Sequence, residues 1–348
     1  MLSDRVIRPV DLPLAAQVQA AIDAKTKPPG SLGRIERLAL QLALAQGTDA
    51  PAADPAHLLI FAGDHGLVAE GVSAWPQEVT AQMVLNFLSG GAAANVFART
   101  NDVRLTVADA GVAVELPDTP GLRRAGIRAG TRNAARQDAM THDEMSRALT
   151  FGAALADEAI EGGARVIAIG EMGIGNTASA ALLAHALAGL DLPALTGPGA
   201  GLDADGVARK QAILASVAAR RPGKLPPEQA LTAFGGLEIA AMAGALIGGA
   251  ARGAAVLVDG FIATAAAMVA LTARPEAAPY AVFAHRSHEP GHRLMLQHLG
   301  VEPILDLDLR LGEGTGALLA VPVLRAACAM LADMATFESA GVSGKADP

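Results

Sequence analysis

The sequence of 348 residues contains one cysteine, Cys328, and only 3% aromatic residues. A single cysteine excludes a disulfide within the chain and is compatible with a reducing compartment, so we expect a cytoplasmic protein. Basic residues are also scarce: 27 Lys and Arg against 35 Asp and Glu give a formal net charge of -8. A nucleic-acid partner is not expected, because no basic stripe is available to neutralise phosphates.

The sequence also lacks long apolar runs. Its first ten residues do not contain the apolar core of a secretory signal, so export is not expected. The two most apolar stretches, residues 239–251 and 261–273, are shorter than the roughly 20 residues that a membrane-spanning helix needs. We therefore expect two buried helices and no membrane span.

Apolar residues make up 51% of the chain, and 38 residues are glycine, which indicates a globular protein with close packing of helices on a sheet. Short apolar runs predict strands at residues 58–62, 104–108, 165–169, 255–258 and 281–284. These runs do not alternate with polar residues, and helical patterns separate most of them, as in parallel strands covered on both faces. The sequence therefore predicts an α/β fold with a doubly wound, mainly parallel sheet.

Polar motifs follow the predicted strands, at the edge where doubly wound sheets bind ligands. They are Gly63-Asp64-His65-Gly66, Asp109-Ala110-Gly111, the loop that contains Glu171, Asp259-Gly260, and His285-Arg286-Ser287-His288. Residues 79–98 have the pattern of one amphipathic helix. Asn176 and Thr177 are placed to cap a helix over residues 178–188 and to direct its N-terminus at an anion such as phosphate.

Two glycine-rich loops each carry a carboxylate. Glu313 lies in Leu311-Gly312-Glu313-Gly314-Thr315-Gly316, and Glu171 lies in Gly170-Glu171-Met172-Gly173-Ile174-Gly175-Asn176-Thr177. Two carboxylates that converge on one pocket predict acid/base chemistry on an anionic substrate. A Glu that only hydrogen-bonds backbone amides in a tight turn is the simpler alternative. The spacing G-E-G-T-G is not a dinucleotide fingerprint, so a nicotinamide cofactor is not expected.

Further candidates for ligand contact lie elsewhere in the chain. Residues 196–201 have the sequence Thr-Gly-Pro-Gly-Ala-Gly, which is typical of a flexible connector. Alternatively, they form a phosphate-binding site with Lys210, in which the glycine amides donate hydrogen bonds and the lysine supplies a positive charge. Trp75, in a loop beside Ser73, is either a core residue or an aromatic that stacks on a flat heterocycle, with Met172 on the other face.

Metal binding is weakly indicated. Asp64 and His65 are adjacent and lack a second cluster of ligands at helical spacing. His288-Glu289-Pro290-Gly291-His292 matches the H-E-x-x-H zinc motif formally, but Pro290-Gly291 breaks the helix that the motif requires. We expect no metal.

Taken together, several motifs resemble those of the nicotinate-nucleotide:5,6-dimethylbenzimidazole phosphoribosyltransferases of cobalamin synthesis, over nearly the whole chain. The motifs are Phe61-Ala62-Gly63-Asp64-His65-Gly66, Gly71-Val72-Ser73-Ala74, the Glu171 loop, residues 196–201, His285-Arg286-Ser287, residues 311–316, and Lys25-Thr26-Lys27-Pro28-Pro29-Gly30-Ser31-Leu32-Gly33.

The resemblance implies a homodimer that moves phosphoribosyl from nicotinate mononucleotide to dimethylbenzimidazole without metal or cofactor. It implies a Rossmann-like large domain, residues 31–304, and a small helical domain, residues 1–30 and 305–348, that carries the Glu313 loop. Glu313 matches the family's general base, and Glu171, Lys210, Gly199 and Ser287 match positions around the ribose phosphate.

The predicted catalytic residues are therefore Glu313 and Glu171. The predicted substrate-binding residues are Ser73, Trp75, Gln82, Met172, Gly173, Gly175, Asn176, Thr177, Gly199, Lys210, Ser287, Gly312 and Gly314. Gln77 is an equal alternative to Gln82. The family commonly has tyrosine where this chain has Trp75, so the preferred base stays open. The alternative function is a non-catalytic binding protein for a benzimidazole or a nucleotide.

Overall fold

The computed structural model describes residues 4–343 of the chain. Within these residues, six strands form one parallel sheet in the order β3-β2-β1-β4-β5-β6. The strands are β1 (Ala56–Gly63), β2 (Val103–Gly111), β3 (Leu122–Arg124), β4 (Val166–Met172), β5 (Ala255–Val258) and β6 (Ala281–Phe283). The predicted α/β class with a doubly wound sheet is confirmed.

Helices precede, connect and follow the strands. They are α1 (Leu12–Asp23), α2 (Arg34–Gln46), α3 (Glu78–Ser89), α4 (Ala93–Thr100), α5 (His142–Glu161), α6 (Asn176–Ala188), α7 (Leu192–Leu195), α8 (Ala204–Ala218), α9 (Pro227–Phe234), α10 (Leu237–Ala251), α11 (Phe261–Ala273), α12 (Pro290–Leu299), α13 (Thr315–Asp333) and α14 (Phe337–Ala340), with 3-10 turns at Gly66–Glu70 and Pro275–Tyr280.

Both faces of the sheet are covered, which explains why the strands read as unbroken apolar runs. Leu58 of β1 contacts Gly314 at the start of α13. Phe61, three residues further on and therefore on the opposite face, packs edge to face with Phe151 of α5 at a centroid distance of 6.4 Å. Every residue of β1 from Leu58 to Gly63 is buried.

The order of the strands decides where a ligand site lies. The chain winds outward from β1 through β2 to β3 in one direction and from β4 through β5 to β6 in the other. At such a reversal, the loops after the two central strands separate and leave a crevice at the carboxyl edge of the sheet. In this sheet the reversal lies between β1 and β4, and the Glu171 loop follows β4.

Two local predictions were wrong. Residues 79–98 do not form one helix, because α3 ends at Gly90, which has a φ of +83°, and α4 starts only at Ala93. Strand β3 was not predicted, because two of its three residues are exposed arginines and no apolar run marks it. The predicted buried helices at residues 239–251 and 261–273 are present as α10 and α11.

The two ends of the described chain lie together. Lys25 pairs with Thr336 in an antiparallel bridge, and the Lys25 ammonium donates to the Met334 carbonyl at 2.7 Å. The helix that follows the Glu313 loop, α13, nevertheless packs on β4 of the central sheet as well as on α2. The division into residues 31–304 and the two chain ends stays a prediction, and residues 344–348 of the small domain lie outside the described residues.

Among the described residues, one helix is long and apolar enough to cross a membrane by length and composition, namely α13 with 19 residues. Sixty-one per cent of its most apolar stretch of 18 residues is buried inside the fold. A core helix of this kind meets the same criterion, so α13 is weak evidence for a span.

Candidate functional site

A cavity of about 110 Å³ lies at the carboxyl edge of β4 and β5. It gathers residues from loops that are far apart in sequence. Its lining residues from the predicted set are Glu171, Met172, Gly173, Asn176, Thr177, Gly199, Ser287 and Gly312. The remaining predicted residues are Ser73, Trp75, Gln82, Gly175, Lys210, Glu313 and Gly314, which lie outside this lining.

The two acidic glycine loops are in contact, although only the Glu171 loop directly follows a strand. Gly170, near the end of β4, lies so close to the second loop that a Cβ on it would be 2.5 Å from the Gly314 amide nitrogen. A Cβ on Gly312 would collide with the Glu171 carboxylate. Glycine is therefore required at both positions by close approach, and Gly312 also has a φ of +83°.

Glu313 is held in a constrained backbone conformation. Its φ is +62°, a value that residues other than glycine rarely adopt. Its side chain is buried, and Oε2 accepts a hydrogen bond of 3.4 Å from the Ala94 amide at the start of α4. Burial raises the pKa of Glu313, the Ala94 hydrogen bond opposes this rise, and the nearby Asp259 adds to it. Glu313 itself is not among the residues that line the cavity, but it follows Gly312, which does line it.

Glu171 is buried at the end of β4, and its carboxylate accepts a hydrogen bond from the side-chain amide of Asn176. Burial raises the pKa of Glu171 to about 8, and the negative charges of Asp259, Glu238 and Glu313 contribute. At neutral pH this carboxyl group is therefore mostly protonated. The expected capping of α6 by Asn176 or Thr177 does not occur: Gly175, with a φ of +90°, is the N-cap and no side chain caps the helix.

Asp259, directly after β5, holds the Glu313 loop in place. Its Oδ1 accepts from the Ala317 amide at 2.9 Å, and the amides of Gly314 and Gly316 also donate to its carboxylate. These are amides at the N-terminus of α13, which a negative charge stabilises. The sequence analysis noted Asp259 as part of a rim motif but did not place it among the site residues.

Lys210 forms the basic part of the site from α8. Its side chain is 1% exposed, and Nζ donates to Thr177 Oγ1 at 2.9 Å and to the Gly197 carbonyl at 3.4 Å. A Cβ on Gly199 would lie 3.6 Å from the same Nζ, so the glycine loop and the lysine meet. Burial lowers the pKa of Lys210 to about 8. Together with the N-terminus of α6, which no side chain caps, this arrangement can bind an anion.

Trp75 lies beside this glycine loop. Its indole Nε1 donates to the Ala200 carbonyl at 2.8 Å, its backbone amide donates to Ser73 Oγ at 3.1 Å, and half of its surface is exposed. It is therefore a loop residue and not a core residue. Gln82 is exposed on α3 and Gln77 is half-buried at the helix start, and neither lines the cavity.

The motifs that suggested a metal have other partners. His65 is fully buried, with Nε2 at 2.7 Å from Glu238 and Nδ1 at 2.9 Å from Ser179. His292 Nδ1 accepts from the Ser287 amide at 2.8 Å, and its Nε2 lies 2.9 Å from Thr264 Oγ1. Helix α12 begins at Pro290, so His288 is not on it. In residues 4–343, no group of three or more His, Cys, Asp or Glu side chains is arranged to hold a metal ion.

Comparison with known proteins agrees with this geometry. Residues 7–342 match the family model DBI_PRT, described as phosphoribosyltransferase. The chain belongs to this phosphoribosyltransferase family. It is 52% identical to the nicotinate-nucleotide--dimethylbenzimidazole phosphoribosyltransferase of Aromatoleum aromaticum, over 95% of this chain and 96% of the relative. It is 53% identical to the enzyme of the same name from Ralstonia nicotianae, over 97% of this chain and 96% of the relative.

A solved structure shares the fold throughout. The crystal structure of the nicotinate-nucleotide-dimethylbenzimidazole phosphoribosyltransferase from Thermus thermophilus matches with a TM-score of 0.91 and 47% identity, over 96% of this chain and all of that one. The predicted family membership is confirmed. The roles of the individual site residues stay predictions.

Proposed function

We propose that the protein transfers phosphoribosyl from nicotinate mononucleotide to 5,6-dimethylbenzimidazole, giving α-ribazole 5'-phosphate and nicotinate for cobalamin lower-ligand synthesis. The observation that carries this proposal is the contact between the Glu171 and Glu313 loops beside the Lys210 anion site, in a chain about half identical to enzymes of that name. No step of the reaction needs a metal or a redox cofactor.

The leaving group assists its own departure. The pyridine nitrogen of nicotinate mononucleotide is cationic, so breaking its bond to the anomeric carbon returns the electron pair and neutralises the ring. The incoming benzimidazole attacks through its bare nitrogen and becomes cationic. Attack opposite the departing ring inverts the anomeric carbon from β to α, so the two rings must be held on opposite sides of the sugar.

Glu313 is our candidate for the base that removes the proton from the other benzimidazole nitrogen. Its burial and constrained backbone hold the carboxylate in one position, and its raised pKa makes it a stronger base than an exposed Glu. The proton passes to the carboxylate as the new carbon–nitrogen bond forms, so the product leaves uncharged at the ring. Glu171, which lines the cavity and is mostly protonated at neutral pH, can donate a hydrogen bond to a ligand there.

The substrate phosphate is proposed to bind at the other end of the cavity. Lys210 supplies a charge, the N-terminus of α6 supplies the positive end of a helix dipole, and Gly173 and Gly199 let the ligand approach the backbone closely. Ser287 lines the same end. Trp75, beside Ala200, is proposed to contact the incoming base together with Ser73 and either Gln77 or Gln82.

The proposal is tested by mixing the purified protein with both substrates. Free nicotinate and the ribosylated base are then followed by mass spectrometry. We expect both products in equal amounts. Binding of either substrate without nicotinate release would support the alternative of a non-catalytic binding protein. A competition among several benzimidazoles and adenine in the same assay would rank the bases that the Trp75 pocket accepts.

We further infer that the protein is a cytoplasmic homodimer. The single cysteine, Cys328, which is buried in α13, supports the compartment. The family resemblance supports the dimer. Light scattering during size-exclusion chromatography should give twice the chain mass of 35.1 kDa, and a monomer would contradict the inference.

A further inference from the structure

Thr80 is a buried residue with a hydroxyl group that lies outside the predicted site. It belongs to the first turn of α3 and has no exposed surface. Helix α3 packs against β1, β2 and β4, and the loop that carries Trp75 leads into it. A buried hydroxyl requires hydrogen-bond partners, so the contacts of Thr80 indicate which parts of the fold it holds together.

The first partner of Thr80 is the loop between β4 and α6. The Ile174 amide donates to Thr80 Oγ1 at 3.1 Å, and both groups are buried. Ile174 lines the cavity and lies between two other lining residues, Glu171 and Asn176, whose side chains are hydrogen-bonded to each other. The Thr80 hydroxyl therefore fixes the middle of the segment that runs from Glu171 to Asn176.

The second neighbour of Thr80 is Asp64, in the loop after β1. Asp64 is buried, and its Oδ2 accepts from the Ala113 amide, in the loop after β2, at 2.8 Å. Burial raises the pKa of Asp64, and the Ala113 amide and the Thr80 hydroxyl oppose this rise. The contact with Thr80 is looser than a standard hydrogen bond, since Asp64 Oδ1 has no partner of standard geometry among residues 4–343.

These contacts bridge the sheet at the strand reversal. The loops after β1 and β4 separate at such a point, yet Thr80 contacts Asp64 in one loop and Ile174 in the other. The cavity lies on the other side of β4, toward β5, and Thr80 is not among its lining residues. Thr80 can therefore act on the site only through the segment that it holds.

We propose that Thr80 is a positioning residue whose hydroxyl holds the segment from Glu171 to Asn176 in place relative to α3 and the Trp75 loop. Without this hydroxyl, the Ile174 amide would be buried without an acceptor, so the segment would move. A displacement of about 1 Å at a reacting group can lower a rate by about 100-fold. This inference rests on the proposed function, because it assumes that Glu171 acts on the bound substrates.

Two variants separate the hydroxyl from the shape of the side chain. Thr80→Val keeps the shape and removes the hydroxyl, whereas Thr80→Ser keeps the hydroxyl. In initial-rate assays of nicotinate release, Thr80→Val should lower kcat by at least about tenfold, and Thr80→Ser should stay within about threefold of wild type. The KM for nicotinate mononucleotide should change by less than about threefold in both, because Lys210 and Thr177 at the phosphate end are not bound to α3.

Loss of folded enzyme would also lower the apparent kcat, so kcat is expressed per binding-competent chain, counted by titration calorimetry with nicotinate mononucleotide. Thr150→Val is the matched control, because it removes an exposed threonine hydroxyl from α5 that donates to the Ser146 carbonyl at 2.8 Å. It should behave as the wild type. Wild-type kcat in Thr80→Val, an equal loss in Thr80→Ser, or a raised KM with unchanged kcat would overturn the inference.

If Thr80→Val does not fold, Thr80→Ser and Thr80→Cys decide, because they differ in one atom and sulfur is the weaker acceptor. The cysteine variant should be at least about threefold slower per competent chain than the serine variant, and equal rates would overturn the inference. A wild type that releases no nicotinate would refute the proposed function, whatever the variants show. A wild type that releases nicotinate, with Thr80→Val unchanged, would refute only the role of Thr80.

Discussion

The replacement Glu313→Gln tests the central chemical step. Gln has the same shape, and its amide oxygen can still accept from Ala94, so the replacement removes little more than the charge. The hydrogen bond that it weakens is long, at 3.4 Å, and the carboxylate has no other protein donor among the described residues. The fold and the binding of nicotinate mononucleotide should therefore persist.

The expected loss follows from the role of a positioned base. General-base catalysis contributes about 100-fold or more to a rate, which corresponds to about 2.7 kcal/mol in the activation free energy. We expect kcat to fall by at least about 100-fold, with the KM for nicotinate mononucleotide changed by less than about threefold. Because burial raises the pKa of Glu313, the wild-type rate should fall on the acid side of neutrality, and the variant should lose this limb.

The assay is initial-rate nicotinate release from pH 5 to 9, with thermal unfolding as a check on the fold. Glu302→Gln, on the exposed surface, is the control for an added amide. A Glu313→Gln enzyme that turns over within threefold of wild type, or keeps the acid limb, would refute the assignment of the base.

Three further changes test other parts of the site. Lys210→Ala should raise the KM for nicotinate mononucleotide by about 10- to 100-fold, because a charged hydrogen-bond donor is lost, and kcat should change little; unchanged values of both would reject the role. Gly170→Ala places a methyl group 2.5 Å from the Gly314 amide nitrogen and should displace the Glu313 loop. We expect kcat to fall by about 10- to 100-fold. Wild-type kinetics would show that this contact does not position Glu313. Glu171→Gln should reduce the loss of stability that the wild type shows as pH rises from about 4.5 to 8, because the unfolded chain releases this proton near its ordinary pKa while the folded chain retains it to about 8. If the melting temperatures of variant and wild type change in parallel over that range, the raised pKa of Glu171 is contradicted.

The sequence predicted what depends on local pattern and on the rule for parallel sheets. Apolar runs located all strands except β3, whose Arg123 and Arg124 carry no such signal. The convergence of the Glu171 and Glu313 loops was suggested by the carboxylate and the glycines that both loops carry, although only the Glu171 loop follows a strand. Local pattern could not predict which side chains hydrogen-bond to each other. Asn176 is a residue type that often caps a helix, yet its side-chain amide donates to the Glu171 carboxylate.

Glu289 is buried and lines the cavity, but it was not among the predicted site residues, for a different reason. Its neighbours suggested a zinc motif, which was discarded, and no sequence signal then remained. Its burial arises because the loop around Gly197 and Gly199, about 90 residues earlier in the chain, folds against it. Contacts between these distant loops depend on the packing of α12 on α6 and α7, which the sequence of either loop alone does not encode.

The carboxylates Glu171 and Glu313 also show how environment separates two chemically identical groups. Glu171 has no backbone amide donor within the described chain and lies near Asp259 and Glu238, so its proton is held to about pH 8. Glu313 accepts from the Ala94 amide, which favours its charged form. A proton retained on Glu171 removes one negative charge from the cluster and makes ionisation of Glu313 less costly. Burial, neighbouring charges and a single amide thus give the two groups different proton affinities, which is the condition for the division of roles that we propose.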